Sequence, residues 1–154
     1  MFDAPLDALY AWVGLAVVSV AVLAVALSLA SAPPPSAIRV ANAVDAVAAS
    51  PNEAVRRIVL DVDAVALRPW RVGVRTDGGT AHAAVTFGPV TPVRDGPLRA
   101  VLTGRSPART FETPAAFRGA LTRARRRVGG WTDAPETLVV RRVSWGGVNG
   151  TLVG

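Results

Sequence analysis

An uncharged, apolar stretch near the N-terminus constrains this chain more than any other feature. Residues 8–31 are apolar, small or aromatic, and no charged residue occurs between Asp7 and Arg39. An α-helix rises about 1.5 Å per residue, so ~20 apolar residues cross the ~30 Å hydrocarbon core of a bilayer. The sequence therefore predicts a single-pass transmembrane helix, with the lipid bilayer as its partner and the cell membrane as its location.

A cleavable signal peptide is the alternative to a retained helix. Residues 30–32 match the small-residue pattern of a cleavage site. A signal peptide also has a basic segment before an apolar run of about 7–15 residues, but residues 1–7 contain no basic side chain and the apolar run is longer. The pattern therefore favours an uncleaved helix. Its orientation stays open, because the positive-inside rule rests here on one nearby arginine, Arg39.

The apolar stretch divides the chain into two predicted domains. Residues 33–35 are three prolines, which stop a helix and favour an extended spacer. Residues 1–36 are therefore interpreted as the transmembrane anchor with its proline-rich linker. Residues 37–154 are interpreted as a separate domain, which is long enough for one modest core.

Composition excludes several classes of chemistry. The chain contains no cysteine and no lysine. The first absence excludes disulfides, thiolate zinc sites and a cysteine nucleophile, and the second excludes Schiff-base chemistry and a phosphate-loop lysine. All 17 basic residues are arginine, and only 11 residues are acidic. This positive surplus favours anionic partners. Codon bias is the alternative explanation, because a GC-rich genome encodes arginine in preference to lysine.

Two helices are predicted in the second domain. The first covers residues 37–50, where Val40, Val44 and Val47 fall on one side. The second begins at Thr113 and Pro114, which suit the N-cap and first position, and ends at the glycines 129–130. The apolar face of this second helix consists of Phe117, Ala120, Leu121, Ala124 and Val128.

The remaining segments predict strands. Alternating side chains and a turn-forming Asp77-Gly-Gly indicate a hairpin between residues 70–75 and 80–87. The domain is therefore predicted as α+β: a small, mainly antiparallel sheet, one leading helix and one amphipathic helix packed on the sheet. The other predicted elements are a kinked strand over 57–67, a loop over 88–97, a strand over 98–103 and closing strands over 137–145 and 148–153.

Candidates for catalysis and metal binding are few. His82 is the single histidine, and a catalytic zinc site needs about three protein ligands. Asp61 and Asp63 would share one strand face, where two carboxylates can bind a cation or act as an acid–base pair. No nucleophile-elbow or dinucleotide-binding motif is present. We therefore expect no enzyme, no metal and no cofactor, and interpret these three side chains as ordinary strand residues.

The second predicted helix has an arginine-rich C-terminal half. An anionic surface such as lipid phosphates would suit it, but arginines there also interact with the helix dipole and the last carbonyls without any ligand. Nucleic acid is not expected as a partner, because no aromatic side chain lies among these arginines. The arginines of this candidate anionic contact are Arg118, Arg123, Arg125, Arg126 and Arg127.

Two shorter patterns complete the candidate sites. Ala24, Ser28 and Ala32 recur every four residues, and such a stripe lets another membrane helix or a second copy approach closely; an alanine-rich span also produces it by chance. Asn149 begins an Asn-Gly-Thr glycosylation acceptor. The same Asn-Gly pair is typical of a tight hairpin turn, and the turn is the favoured interpretation.

Three segments carry a resemblance to a known family. They are residues 1–16 with the Ala-Pro-Pro-Pro of 32–35, the Asp-Gly-Gly-Thr-Ala-His-Ala of 77–83, and the Phe-Gly-Pro-Val-Thr-Pro-Val of 87–93. In these segments the chain resembles a haloarchaeal family of unknown function, whose members are similar in plan to archaeal type IV pilins and related secretion subunits. The resemblance implies a structural role in a surface filament or its assembly machine, with the domain outside the cell.

Two hypotheses about function follow. The first is a non-enzymatic, membrane-anchored structural or assembly protein, pilin-like in plan, which packs against other membrane helices or copies of itself. The second is a membrane-tethered binding module that recognises an anionic surface through its arginine-rich helix.

Overall fold

The computed structural model describes residues 6–29, 36–127 and 129–154, and within the first range it describes the side chains of residues 12–23. The chain divides into two units, Met1–Pro33 and Pro34–Gly154, each of which is described by itself. The predicted packing stripe of Ala24, Ser28 and Ala32 lies outside the described side chains, as does the proline segment 33–35.

In the described residues of the first unit there is one helix, α1 (Leu6–Leu29). The side chains described in it, from Trp12 to Leu23, are all exposed. Among the described residues, no helix is both long and apolar enough to cross a membrane. The predicted single-pass transmembrane anchor is therefore wrong.

Residues 36–127 and 129–154 of the second unit form three α-helices, a 3-10 helix and eight strands in an α+β arrangement. Its elements in chain order are α2 (Ala37–Ala48), β1 (Ala54–Val59), β2 (Ala64–Arg68), β3 (Arg71–Thr76), β4 (Gly79–Ala84), β5 (Val90–Pro92), α3 (Gly96–Leu102), a 3-10 helix (Pro107–Arg109), α4 (Pro114–Arg126), β6 (Thr132–Asp133), β7 (Thr137–Trp145) and β8 (Val148–Val153).

The strands form two four-stranded sheets. We name the sheet with strand order β1-β7-β8-β5 the central sheet and the one with order β4-β3-β2-β6 the side sheet. All pairs are antiparallel except β5 with β8, which is parallel. A single sheet with one packed helix was expected, and that part of the predicted fold class is wrong.

The central sheet has apolar side chains on both faces because β7 alternates between two clusters. Leu138 and Val140 belong to the cluster that also contains α2 and the inner face of the side sheet. Val143, three residues beyond Val140, belongs to a second cluster with α3 and α4, where Phe117 is fully buried. One strand therefore supplies the core on both sides, as the two-residue period of a strand allows.

Several predicted elements are confirmed. The helix over 37–50 is α2, and its Val40, Val44 and Val47 are buried as the spacing predicts. The hairpin is β3–β4, and α4 begins at Thr113, whose Oγ1 accepts a hydrogen bond of 3.1 Å from the backbone N–H of Ala116. The closing strands are β7 and β8. Val128, assigned to the apolar face of α4, lies outside the described residues.

Three predicted elements are wrong. The strand expected over 98–103 belongs to α3, where Leu98, Val101 and Leu102 meet the core at helical spacing. The loop expected over 88–97 contains β5, because the backbone of Val90 pairs with Thr151 of β8. The kinked strand expected over 57–67 is two strands, β1 and β2, which belong to different sheets.

The turn assigned to Asn149-Gly150 is also wrong. The hairpin between β7 and β8 turns at Gly146 and Gly147, whose φ angles of 54° and 75° suit glycine. Asn149 lies within β8 opposite Ser144. Gly150 is required for packing instead, because a Cβ there would stand 2.9 Å from Cδ1 of Leu121.

Candidate functional site

A groove of about 450 Å³ lies between α4 and the segment that leads from β5 into α3. We name it the α3–α4 groove. Its apolar lining includes Leu98, Phe111, Ala120 and Ala124. Its charged lining consists of Arg94, Asp95, Arg123 and Arg127.

The pattern of α4 brings two of the arginines to this groove. Phe117 and Leu121 are buried and fix which side of the helix faces the core. Arg123 and Arg127 are four residues apart and therefore lie on the same side of the helix. Gly119 leaves room for the Arg123 guanidinium, since a Cβ there would stand 3.3 Å from Nη1 of that arginine.

The third arginine reaches the groove from the opposite wall. The backbone N–H of Val93 donates to the carbonyl of Val153, which fixes the chain at the end of β5. Arg94 follows at the exposed rim, and its Nη2 donates to the carbonyl of Gly130 at 3.3 Å. Sequence reasoning missed Arg94, because a lone arginine in a proline-rich loop has no periodic pattern to place it.

Positive charge exceeds negative charge in the groove. Its three arginines face one carboxylate, Asp95, which lies 3.6 Å from Nη1 of Arg127. Both side chains of this pair are almost fully exposed, at 78% and 79%. Such a pair contributes only ~0–1 kcal/mol to stability. An anion that binds Arg127 more tightly than Asp95 does can therefore displace Asp95 at a small cost in free energy. The other two guanidinium groups, those of Arg94 and Arg123, line the same groove.

The other predicted arginines of α4 lie elsewhere. Nε of Arg125 donates to Oγ1 of the buried Thr91 at 2.8 Å, and burial lowers the pKa of Arg125. Arg125 thus joins α4 to β5. Arg118 and Arg126 are exposed and do not line the groove. The structure brings together two of the five predicted arginines, Arg123 and Arg127.

The candidate catalytic residues do not converge. Asp61 and Asp63 lie in the break between β1 and β2 rather than on one strand face, so the geometry assumed for an acid–base pair is absent there. His82 lies on β4 with its ring 5.6 Å from that of Trp131. Among the described residues, no group of three or more histidine or acidic side chains could hold a metal ion. Asn149 is exposed on β8.

Comparison with known proteins gives one match. No curated protein and no solved structure matches this chain. A family model described as a family of unknown function (DUF7283) matches residues 3–143, which is most of the chain. This confirms the expectation of a family without an assigned function. The protein belongs to the family of unknown function DUF7283.

Proposed function

We propose that the second unit is a non-enzymatic binding module that holds an acidic segment of a partner protein in the α3–α4 groove. The observation that carries this proposal is the approach of Arg94, Arg123 and Arg127 to one groove that contains a single carboxylate. Guanidinium groups donate paired hydrogen bonds to carboxylates, and these bonds are among the stronger ones in proteins.

The apolar part of the groove supports a peptide as the ligand. Leu98 and Phe111 lie beside the arginines, together with the small side chains of α4. A free inorganic anion would leave this apolar surface in contact with water. An acidic segment that also carries an aromatic or aliphatic side chain would cover it, and would gain about 25 cal/mol for each Å² of apolar surface buried.

The chemistry of the lining supports a binding role rather than catalysis. The residues that line the groove include no serine, threonine, tyrosine or histidine, so no nucleophile stands beside a base. Arginine stays protonated at neutral pH and does not act as a general base. Asp95 is the one carboxylate of the lining, and it lies 3.6 Å from Nη1 of Arg127.

Fluorescence anisotropy with a labelled acidic, phenylalanine-containing peptide tests this role on the full chain. The double variant R123Q/R127Q should bind at least tenfold more weakly, because charge-assisted hydrogen bonds contribute ~1.5–3 kcal/mol each and ~1.4 kcal/mol is tenfold in affinity. The matched control is R118Q/R126Q, which removes the same charge from exposed positions of the same helix. The control should stay within about twofold of the parent. Equal losses in both variants would show attraction to net charge alone and contradict the proposal.

The exposed side chains of α1 favour a second candidate function. Trp12, Val17 and Val20 are 71%, 64% and 66% exposed, and the described part of the helix contains no charged side chain. A helix that is apolar on all sides is normally buried. We propose that copies of the chain associate through α1, as in a structural or assembly protein of the pilin-like plan that the resemblance implies, with the second unit outside the cell.

Sedimentation velocity on the full chain tests this second candidate. The parent should sediment as an oligomer, and V17R/V20R should shift it toward the monomer, because an arginine at either position must be desolvated in a helix–helix contact. The matched control is A115R/A116R, which adds the same charge to exposed positions of α4. A monomeric parent, or dissociation by both variants alike, would exclude association through α1.

A further inference from the structure

A second cavity, of about 250 Å³, opens on the outer face of the side sheet. It is distinct from the α3–α4 groove, and the inference drawn from it does not rest on the function proposed above. Arg68, Arg71, Gly73, His82 and Trp131 line it. It therefore combines two arginines, the single histidine of the chain and a tryptophan on one small surface.

Gly73 lets the two aromatic rings lie directly on the sheet. A Cβ at this position would stand 2.7 Å from Nδ1 of His82 and 3.0 Å from Cη2 of Trp131. Arg75, two residues further along β3, lies over the Trp131 ring with its guanidinium carbon 4.2 Å from the ring centroid. Arg75 does not line the cavity, whereas Trp131 and Arg71 both do.

The indole of Trp131 is the stacking surface of the cavity. Trp131 lies over Gly73, and Arg71 is two residues from Gly73 on the same face of β3. A planar aromatic ligand that enters the cavity can therefore stack on a tryptophan ring with a guanidinium group close by.

The two arginines of the cavity are placed to bind an anion. Arg68 and Arg71 are directly opposed in the β2–β3 pair, and like charges at opposed positions of a sheet destabilise it. Neither forms an ion pair or a side-chain hydrogen bond with another described residue; the ion pair among the described residues joins Arg127 to Asp95 in the α3–α4 groove. An anion bound between the two guanidinium groups would remove this repulsion.

We propose that this cavity binds a nucleoside phosphate. The base stacks on Trp131, and the phosphate binds between the guanidinium groups of Arg68 and Arg71. The ligand is either a free nucleotide or one unit of a single-stranded nucleic acid, since both present the same base and phosphate. Nucleic acid was not expected as a partner of the arginine-rich helix α4; the present site lies on the side sheet, where aromatic rings accompany the arginines.

Calorimetric titration of the full chain tests the site with four probes: adenosine monophosphate, adenosine, inorganic phosphate and a short oligothymidylate. The nucleotide should bind at least tenfold more tightly than adenosine or phosphate alone. If the oligonucleotide binds more tightly than the nucleotide, the source is a single strand; if it binds no more tightly, the source is a free nucleotide. No binding of either, or binding of inorganic phosphate as tight as that of the nucleotide, would overturn the proposal.

Two variants with matched controls locate the site. W131L should weaken nucleotide binding about tenfold or more, the usual effect of losing a stacking ring, while W12L, in the first unit, should leave it unchanged. R68Q/R71Q should weaken binding and reduce its dependence on salt, while R56Q/R57Q removes the same charge from exposed positions of β1. Equal losses in variants and controls would overturn the proposal.

A direct measurement covers the case in which W131L fails to fold. In W131F, which keeps an aromatic ring, binding should weaken less than in W131L. In the unmodified chain, the nucleotide should shift the NMR signals of the Trp131 indole N–H and the His82 ring. Unshifted signals at both residues while the nucleotide binds would place the ligand elsewhere.

Discussion

Arg141 and Arg142 are adjacent in β7, and each contacts a helix on a different side of the central sheet. Nη1 of Arg142 donates to the carbonyl of Ala48, the last residue of α2. Nη1 of Arg141 donates to the carbonyls of Val101 in α3 and Arg105 beyond it. The last carbonyls of a helix lack partners within the helix, and cations stabilise them. Because successive side chains of a strand point to opposite faces of the sheet, the two adjacent arginines donate hydrogen bonds to helices on opposite sides of it.

Asp45, in α2, also forms side-chain hydrogen bonds to the backbone of a distant segment. Its carboxylate oxygens accept hydrogen bonds from the backbone N–H groups of Thr86 and Phe87, the shortest at 2.9 Å. These two donors lie between β4 and β5, in the segment that crosses from the side sheet to the central sheet. One half-buried carboxylate therefore fixes the connection between the two sheets.

We expect Asp45→Ala to lower the free energy of unfolding by about 1–3 kcal/mol, because two backbone donors lose a charged acceptor. Asp45→Asn should lose less, since its amide oxygen still accepts one of the two bonds. Urea unfolding of the full chain measures both. Glu112→Ala, an exposed acid ahead of α4, is the control and should change little. A loss in Asp45→Ala no larger than in this control would contradict the role of Asp45.

At the scale of residues, local spacing could be predicted from the sequence, but hydrogen-bond partners distant along the chain could not. Val40, Val44 and Val47 were found because helical spacing is a local property. Asp45 and Arg142 were not found, because their partners lie 41 and 94 residues away along the chain. A polar residue inside an apolar pattern indicates that a partner exists, but the pattern contains nothing that identifies it.

At the scale of elements, α4 was predictable and α3 was not. The start of α4 is marked by a threonine and a proline, and its apolar face continues from Phe117 to Ala124. The seven residues of α3 form a short apolar run, and such a run fits a strand or a helix equally well. The α3–α4 groove needs both elements, so only one wall of the candidate site, with Arg123 and Arg127, could be predicted from sequence.

We expect Thr113→Ala to destabilise the second unit by about 1 kcal/mol, because the N-cap hydroxyl accepts the backbone N–H of Ala116. Thr113→Ser keeps the hydroxyl and should retain most of the stability. Thermal unfolding of the full chain, followed by circular dichroism, measures the difference. If the serine variant lost as much as the alanine variant, the effect would come from the lost methyl group rather than from the cap.

At the scale of the whole chain, positive charge is present in excess and is rarely paired with an acid among the described residues. Seventeen arginines face eleven acids, yet the described residues contain a single ion pair, between Arg127 and Asp95. Composition predicted the excess, but it could not predict that five of the arginines line two cavities. One of these cavities is formed on β2 and β3 of the side sheet, and the other is the α3–α4 groove, so both depend on the tertiary fold.

Unpaired charge makes stability depend on salt. Repulsion between the arginines is screened over about 10 Å at 0.1 M salt and over shorter distances at higher salt. We therefore expect the free energy of unfolding in urea to rise as sodium chloride increases from ~0.05 M to ~0.5 M. A fall in stability with salt would show that attractive pairs outweigh repulsion in the folded chain.

Phosphate should stabilise the chain beyond chloride at the same ionic strength, because an anion that binds the folded state adds a stabilisation that grows with its concentration. General exclusion of phosphate from protein surfaces also stabilises, and it acts on every variant alike. The specific part should therefore decrease in R68Q/R71Q and separately in R123Q/R127Q, while R56Q/R57Q keeps all of it. The urea midpoint of each variant in the two salts measures this difference. An identical phosphate effect in all variants would show that neither cavity binds the anion.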